Sequence, residues 1–206
     1  GLSGNLIPSP TIYGNHVYVG AAVGRNDDDA GAAAESNCCL EVTPGSEPGY
    51  QLLWRAENAV CDYTSPLVHQ GYVYYLNKVG VLSCLDASTG REHYRKRIVN
   101  PCWAQPIAVG NHLYFFGKRG ETTVLAAGPK LKLIRSNKLW NEDAPPLPER
   151  SYDYDPISKG DTRPRHPSRE YLDPIVYGVA AVDHAFYVRL GTHIYCIGNY
   201  DTLAAD

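Results

Sequence analysis

The residues that could do chemistry come first, and the six cysteines lead: Cys38, Cys39, Cys61, Cys84, Cys102 and Cys196. None forms a C-x-x-C pair, so their spacing does not describe a zinc site. Cys39, Cys84 and Cys196 each sit inside an apolar, strand-like run, where a small buried thiol is the simpler reading. The even count leaves a disulfide open. Arg25-Asn26-Asp27-Asp28-Asp29 sets three carboxylates in a row beside Gly24, Gly31 and Ala32–Ala34. Three carboxylates could hold Ca²⁺, but the alternate oxygens and distal Glu of an EF-type loop are absent, and the stretch reads as a solvated loop. The seven His form no H-x-x-x-H or H-E-x-x-H pattern. His16 and His112 instead recur in Gly-Asn-His turns. No Ser-His-Asp set and no phosphate-cradling glycine loop is recognisable. The sequence therefore assigns no catalytic residue and no metal ligand.

Composition sets the frame for those residues. Of 206 residues, 44% are hydrophobic and 20% charged, ordinary values for a folded globular chain. The net charge of −3 gives no reason to expect nucleic acid or an anionic membrane as partner. Sixteen Tyr against three Phe lean the composition towards strands. The longest uncharged stretch, Ile98–Gly117, is broken by Asn100, Pro101, Pro106, Gly110, Asn111 and His112, so no membrane-spanning helix is expected. The sequence begins at Gly1 and contains no Met. It reads as an excised piece from which a secretion signal could have been removed.

The elements that position these residues come from an internal repeat. One phrase recurs four times: SPTIYGNHVYVG from Ser9, SPLVHQGYVYYL from Ser65, QPIAVGNHLYFF from Gln105 and GVAAVDHAFYVRL from Gly178. Pro10, Pro66, Pro106 and Val179 align, as do Tyr18, Tyr74, Tyr114 and Tyr187. A second phrase follows each: NCCLEV at Asn37, LSCLDAS at Leu82, TTVLAAG at Thr122 and HIYCIGN at His193. The second copy shows the unit most cleanly. Strands are expected at Ser65–Val68, Tyr72–Asn77, Val81–Asp86 and Glu92–Arg97, with a tight Asp86-Ala87-Ser88-Thr89-Gly90 turn in which Gly takes the positive-φ position. Runs such as Tyr72-Val73-Tyr74-Tyr75-Leu76 are apolar on both faces, as a sheet between two other sheets requires. Four short strands in about 40 residues describe one propeller blade. The expected fold is all-β: a propeller-type stack of about four four-stranded antiparallel blades, part of a larger propeller. It is one segment over residues 1–206, with blades near 8–57, 60–99, 101–140 and 175–200 and inserted loops at 24–36 and 141–174. The last copy runs out after HIYCIGN, since Tyr200–Asp206 is too short and polar for a fourth strand. An open arc would expose two apolar sheet faces, so further blades or a second copy are expected to cover them.

GVLSCLDASTGREHYRKRI, from Gly80, resembles the blade signature of the PQQ-like (quinoprotein-type) repeat family, with Leu82, Leu85, Asp86, Thr89 and Gly90 in place. Tyr94 stands where that family has Trp, and the first copy carries Trp54 near the same point. The third copy departs, with Ala126-Ala127-Gly128-Pro129 at the turn. The resemblance covers residues 8–140 and 175–199. It implies a propeller, and it is compatible with quinone-dependent dehydrogenases, outer-membrane assembly scaffolds and sensor domains of kinases alike.

The resemblance also gives Cys38-Cys39 a second reading, because quinone alcohol dehydrogenases of that family carry a vicinal disulfide beside the cofactor. The pair lies in the third-strand phrase, however, where two neighbouring strand residues suffice. Near the channel mouth, where the connection into each innermost strand lies, Asp62, Trp103 and Gln105 could line a ligand site, although packing between blades accounts for Trp103 equally well. The Pro-rich insertion 141–174, with Pro145-Pro146-Leu147-Pro148 and Arg163-Pro164-Arg165-His166-Pro167, is either a partner-binding loop or a plain surface insertion. The expectation is a non-catalytic binding or protein-interaction module, with no cofactor. Its partner would be another protein or the remaining blades of the same propeller. The alternatives are a fragment of a PQQ- and Ca²⁺-dependent dehydrogenase and the sensor region of a kinase-linked protein. The resemblance implies a bacterial periplasmic or extracellular location.

Overall fold

The computed structural model describes residues 2, 4, 6–22, 35–43, 45, 49–98, 102–141, 176, 178–190 and 193–198. Nearly all of its regular structure is antiparallel strand. The first sheet holds β1 (Thr11–Tyr13), β2 (His16–Val19), β3 (Cys38–Thr43) and β4 (Gly49–Arg55). The second holds β5 (Leu67–His69), β6 (Tyr72–Leu76), β7 (Val81–Asp86) and β8 (Glu92–Arg97). The third holds β9 (Ile107–Val109), β10 (His112–Phe116), β11 (Glu121–Ala126) and β12 (Leu133–Lys138). The fourth is three-stranded among the described residues: β13 (Gly178–Val182), β14 (Ala185–Arg189) and β15 (Ile194–Gly198). Strands follow one another in sheet order, and the innermost strands β1, β5, β9 and β13 adjoin in turn. The chain is thus an all-β stack of four propeller-type blades. The expected tail Tyr200–Asp206 lies outside the described residues.

The repeat phrases fall into one register. Tyr18 faces Cys39, Tyr74 faces Cys84, Tyr114 faces Val124 and Tyr187 faces Cys196 across the second and third strands. Local chemistry explains the turns. Gln70 and Gly71 have φ of +50° and +79°, the positive pair that a two-residue hairpin between twisted strands requires. In the Asp86–Gly90 turn, Asp86 Oδ1 accepts hydrogen bonds from the backbone N–H and hydroxyl of both Ser88 and Thr89, at 2.7–3.1 Å. The Ser88 and Thr89 bonds favour the ionised carboxyl and lower its pKa to about 2. Because this folded value lies below the unfolded one, the turn's contribution is present above about pH 4. It is lost as pH falls towards 2. Urea midpoints measured between pH 6 and 2 should fall less steeply for Asp86→Asn than for the parent chain; parallel curves would refute the assignment.

Three apolar clusters lie between consecutive blades. The first joins Tyr18, Cys39 and Trp54 to Val73, Tyr75, Leu85 and Ala87. The second joins Tyr74, Leu76, Leu82 and Cys84 to Leu113, Phe115 and Leu125. The third joins Phe116 and the partly buried Tyr114 to Val188 and Phe186. Each blade therefore has a forward face, centred on the second-strand Tyr and the residue opposite it, and a rear face turned to the preceding blade. Alternate residues serve the two faces, which is why β6 and β7 are buried along almost their whole length.

Tyr75 is fully buried, and its hydroxyl has no hydrogen-bond partner among the described residues. Burial raises its pKa, and the Cys61, Cys38 and Cys39 thiols are its electrostatic neighbours. A buried hydroxyl left unpaired costs about 1–3 kcal/mol. Tyr75→Phe should therefore raise stability, by about 1 kcal/mol in urea unfolding. A loss of similar size would show that the hydroxyl is satisfied.

Candidate functional site

The segments leading into the innermost strands gather at one end of the stack, beside the turns between second and third strands. Thr11, Leu67 and Ile107 share one register position, since they pair with Tyr18, Tyr74 and Tyr114. Counting back from them makes Ile7, Tyr63 and Trp103 equivalent residues of three successive blades. Ile7 is 52% and Tyr63 40% exposed, and Trp103 is half-buried. The Tyr63 and Trp103 rings meet with centroids 5.2 Å apart at 53°. Lys118 Nζ lies 5.1 Å from the Trp103 ring centroid, within range of a cation–π contact. Leu6 and, on the neighbouring β6–β7 turn, Val79 are also exposed. The result is an arc of aromatic and aliphatic side chains built by the repeat.

The polar residues of this end are committed to the framework. Asp62 Oδ2 accepts a hydrogen bond from the Lys78 backbone N–H at 2.8 Å, and Lys78 Nζ is 3.8 Å from Asp62 Oδ1. That ion pair contributes little, because the lysine is exposed. The Gln105 side chain spans two blades: its Oε1 accepts from Ser65 N–H at 2.6 Å, and its Nε2 donates to Ser65 C=O at 3.0 Å. Ser65 Oγ in turn accepts from Ser9 N–H at 3.1 Å, so the residue before each repeated proline links one blade to the next. Of the expected mouth residues, Asp62, Trp103 and Gln105 come to one end of the stack; Asp62 is buried, while Trp103 and Gln105 are both half-buried. Tyr63, Ile7 and Lys118 were missed. The repeat alignment carried the signal for the first two, because it places them in register with Trp103.

The cysteines are all free thiols, including the adjacent Cys38 and Cys39. Cys39 faces Tyr18 and Trp54 across the sheet as a packing residue. Burial pushes the Cys39 thiol up to about 11 and those of Cys61, Cys84 and Cys102 to about 12. They stay protonated at neutral pH and make poor nucleophiles or metal ligands. The expectation of a buried thiol fails at Cys196, which is exposed. Its counterparts Cys39 and Cys84 are covered by the following blade, and no described residue covers the forward face of the fourth sheet. No group of three or more His, Cys, Asp or Glu suited to a metal ion occurs among the described residues. Residues 25–29 of the acidic loop and residues 142–174 of the Pro-rich insertion lie outside the described residues. No helix among the described residues is long and apolar enough to cross a membrane, which leaves a β-barrel unaddressed.

Fold and geometry together define a β-propeller-type repeat protein. Among solved structures it is similar to BamB from Moraxella catarrhalis, with a TM-score of 0.52 and 9% identity over 90% of this chain and 41% of that one. It also matches a europium-containing methanol dehydrogenase, with a TM-score of 0.43 and 17% identity over 63% of this chain and 24% of that one. The N-terminal domain of Nup159 matches with a TM-score of 0.49 and 15% identity over 91% of this chain and 40% of that one. At these identities the likeness to BamB shows the fold alone, and the chain spans about two fifths of that protein's length. No family model and no curated protein matches the sequence.

Proposed function

We propose that this chain is a non-catalytic propeller segment that binds a protein partner through its Ile7–Tyr63–Trp103 arc. The observation that carries the reading is the division of labour at that end of the stack. Asp62 and Gln105 spend their hydrogen bonds on the blade framework, while exposed aromatic and aliphatic surface faces outward at Ile7, Tyr63 and Val79. Rigid aromatic residues with aliphatic neighbours are favoured anchors for protein contacts. The similarity to BamB supports the propeller frame, and the PQQ-like signature supports a periplasmic or extracellular setting for it.

Selection of displayed 12-residue peptides on the immobilised chain tests this reading. Binders rich in aromatic and aliphatic residues are expected, with affinity reduced at least tenfold by Tyr63→Asp at unchanged melting temperature. Failure to enrich any peptide, or binding indifferent to Tyr63→Asp, would overturn it. Saturable, Ca²⁺-dependent uptake of PQQ with a raised melting temperature would instead move the chain to the dehydrogenase reading, since a ligand of the folded form must stabilise it.

A further inference from the structure

The net charge of −3 conceals a strong asymmetry along the chain. Residues 91–138 carry ten Lys and Arg against two Glu, whereas the rest of the chain carries nine Lys and Arg against twenty Asp and Glu. Most of those ten cations lie on or beside β8 and β12, the outer edges of the second and third sheets. Arg91, Arg95, Lys96 and Arg97 are exposed at the first edge, and Lys130, Lys132, Arg135 and Lys138 at the second. Arg95 and Arg97 direct guanidinium N–H groups to the backbone carbonyls of Asn58 and Val79, which holds them in place and leaves their charge uncancelled.

At β12 the cations are interleaved with aliphatic side chains. Lys130-Leu131-Lys132-Leu133-Ile134-Arg135 is exposed at all six residues, with Leu131 at 39%, Leu133 at 62% and Ile134 at 43%. Charges on an outer strand are expected, because they keep its unpaired backbone from joining another sheet. Exposed leucine and isoleucine work against that purpose, so shielding alone does not explain the run. Nor does Leu133 lack cover because the sequence stops. It pairs with Leu125, which packs in the cluster between blades two and three. Cross-strand partners share a face, so Leu133 is turned towards the second blade, all four strands of which are described. Ile134 falls at the irregularity between Val124 and Leu125 and has no partner on β11. Both positions stay on the outer rim however many blades the propeller has.

We propose that this rim is a peripheral contact for an anionic lipid bilayer. Lys130 and Lys132, with Lys96 on the neighbouring edge, would lie against the lipid phosphates. Leu131, Leu133 and Ile134 would enter the boundary between headgroups and acyl chains. Charge complementarity calls for a negative surface. The aliphatic residues call for lipid rather than nucleic acid, whose phosphate backbone offers them no apolar layer. The acidic remainder of the chain adds orientation, because the same surface repels it and draws in only the basic rim. The inference is independent of the lead-in arc, which lies at one end of the blades rather than along their outer edges.

Pelleting with vesicles tests the proposal. The 206-residue chain should sediment with phosphatidylcholine vesicles containing about 30% phosphatidylglycerol and stay in solution with phosphatidylcholine alone. Salt at about 0.5 M should release it. Lys130→Gln with Lys132→Gln should weaken the binding about tenfold or more, since each cation at such a surface is worth about fivefold. Leu133→Ser with Ile134→Ser should weaken it about as much at an unchanged melting temperature, both side chains being exposed. No pelleting at low salt, or equal pelleting with the uncharged vesicles, would overturn the proposal. Binding that weakens with the lysine pair but ignores the aliphatic pair would overturn it as well, because any polyanion, an acidic protein segment included, would then serve.

Discussion

Tyr74→Ala should destabilise the chain by about 3–5 kcal/mol, the range for removing a fully buried aromatic ring from a packed core. Tyr74 is inaccessible to solvent and sits in the cluster between blades two and three, among Leu76, Leu82, Cys84, Leu113, Phe115 and Leu125. Its hydroxyl adds a polar fastening, because it accepts the Gly128 backbone N–H from the next blade. Removing the ring would open a cavity and leave that donor unpaired. Tyr74→Phe separates the two effects. It keeps the ring and should cost about 1–2 kcal/mol, the penalty for one orphaned buried donor. Urea unfolding of the two variants checks the pair. An Ala variant no worse than the Phe variant would mean that the blades are not held together at this ring. In a stacked repeat, stability is the sum of unit and junction terms, so the same measurement reports how strongly neighbouring blades are coupled.

How much of this was legible in the sequence depended on distance along the chain. In the second copy β7 and β8 begin and end where Val81–Asp86 and Glu92–Arg97 place them, and Gly90 has the expected positive φ, whereas the innermost strand expected at Ser65–Val68 is displaced to Leu67–His69 and the next ends at Leu76 rather than Asn77. Local turn chemistry and apolar runs decide those features. The alignment of Tyr18, Tyr74, Tyr114 and Tyr187 also gave the true sheet register. Junction details were not legible, because their partners are a blade apart in sequence. Gln105 reaches Ser65, and Trp54 reaches Ala87, yet nothing in either local phrase names the other. The fourth strands hid a common irregularity as well. The pairing shifts between Cys39 and Leu40, Cys84 and Leu85, and Val124 and Leu125, leaving an extra residue on β4, β8 and β12. Outer strands such as β12 are exposed throughout, so burial imposed no alternation from which a bulge could be read. At the lead-in arc, residue type pointed to Trp103, while the hydrogen bonds that occupy Asp62 and Gln105 needed the fold.

Gly90→Ala should cost about 3–5 kcal/mol, much more than the change of one hydrogen to a methyl suggests. Gly90 has φ of +73°, a conformation in which a side chain costs about 1–3 kcal/mol. A Cβ placed there would also lie 2.6–2.8 Å from Cδ2, Cε3 and Cγ of Trp54. The indole cannot simply swing away, because its Nε1 is bonded to the Ala87 carbonyl on the same turn and its ring meets Tyr18 with centroids 6.1 Å apart. Forcing extra volume into such a contact adds about 1–3 kcal/mol. A double-mutant cycle isolates this second part. In a Trp54→Ala background the methyl has room, and Gly90→Ala should cost only the backbone strain. If the substitution costs the same in both backgrounds, the indole does not rest on this turn. A large difference would establish that glycine is required here for two reasons at once: the turn's own geometry, and the aromatic ring by which the first blade grips the second.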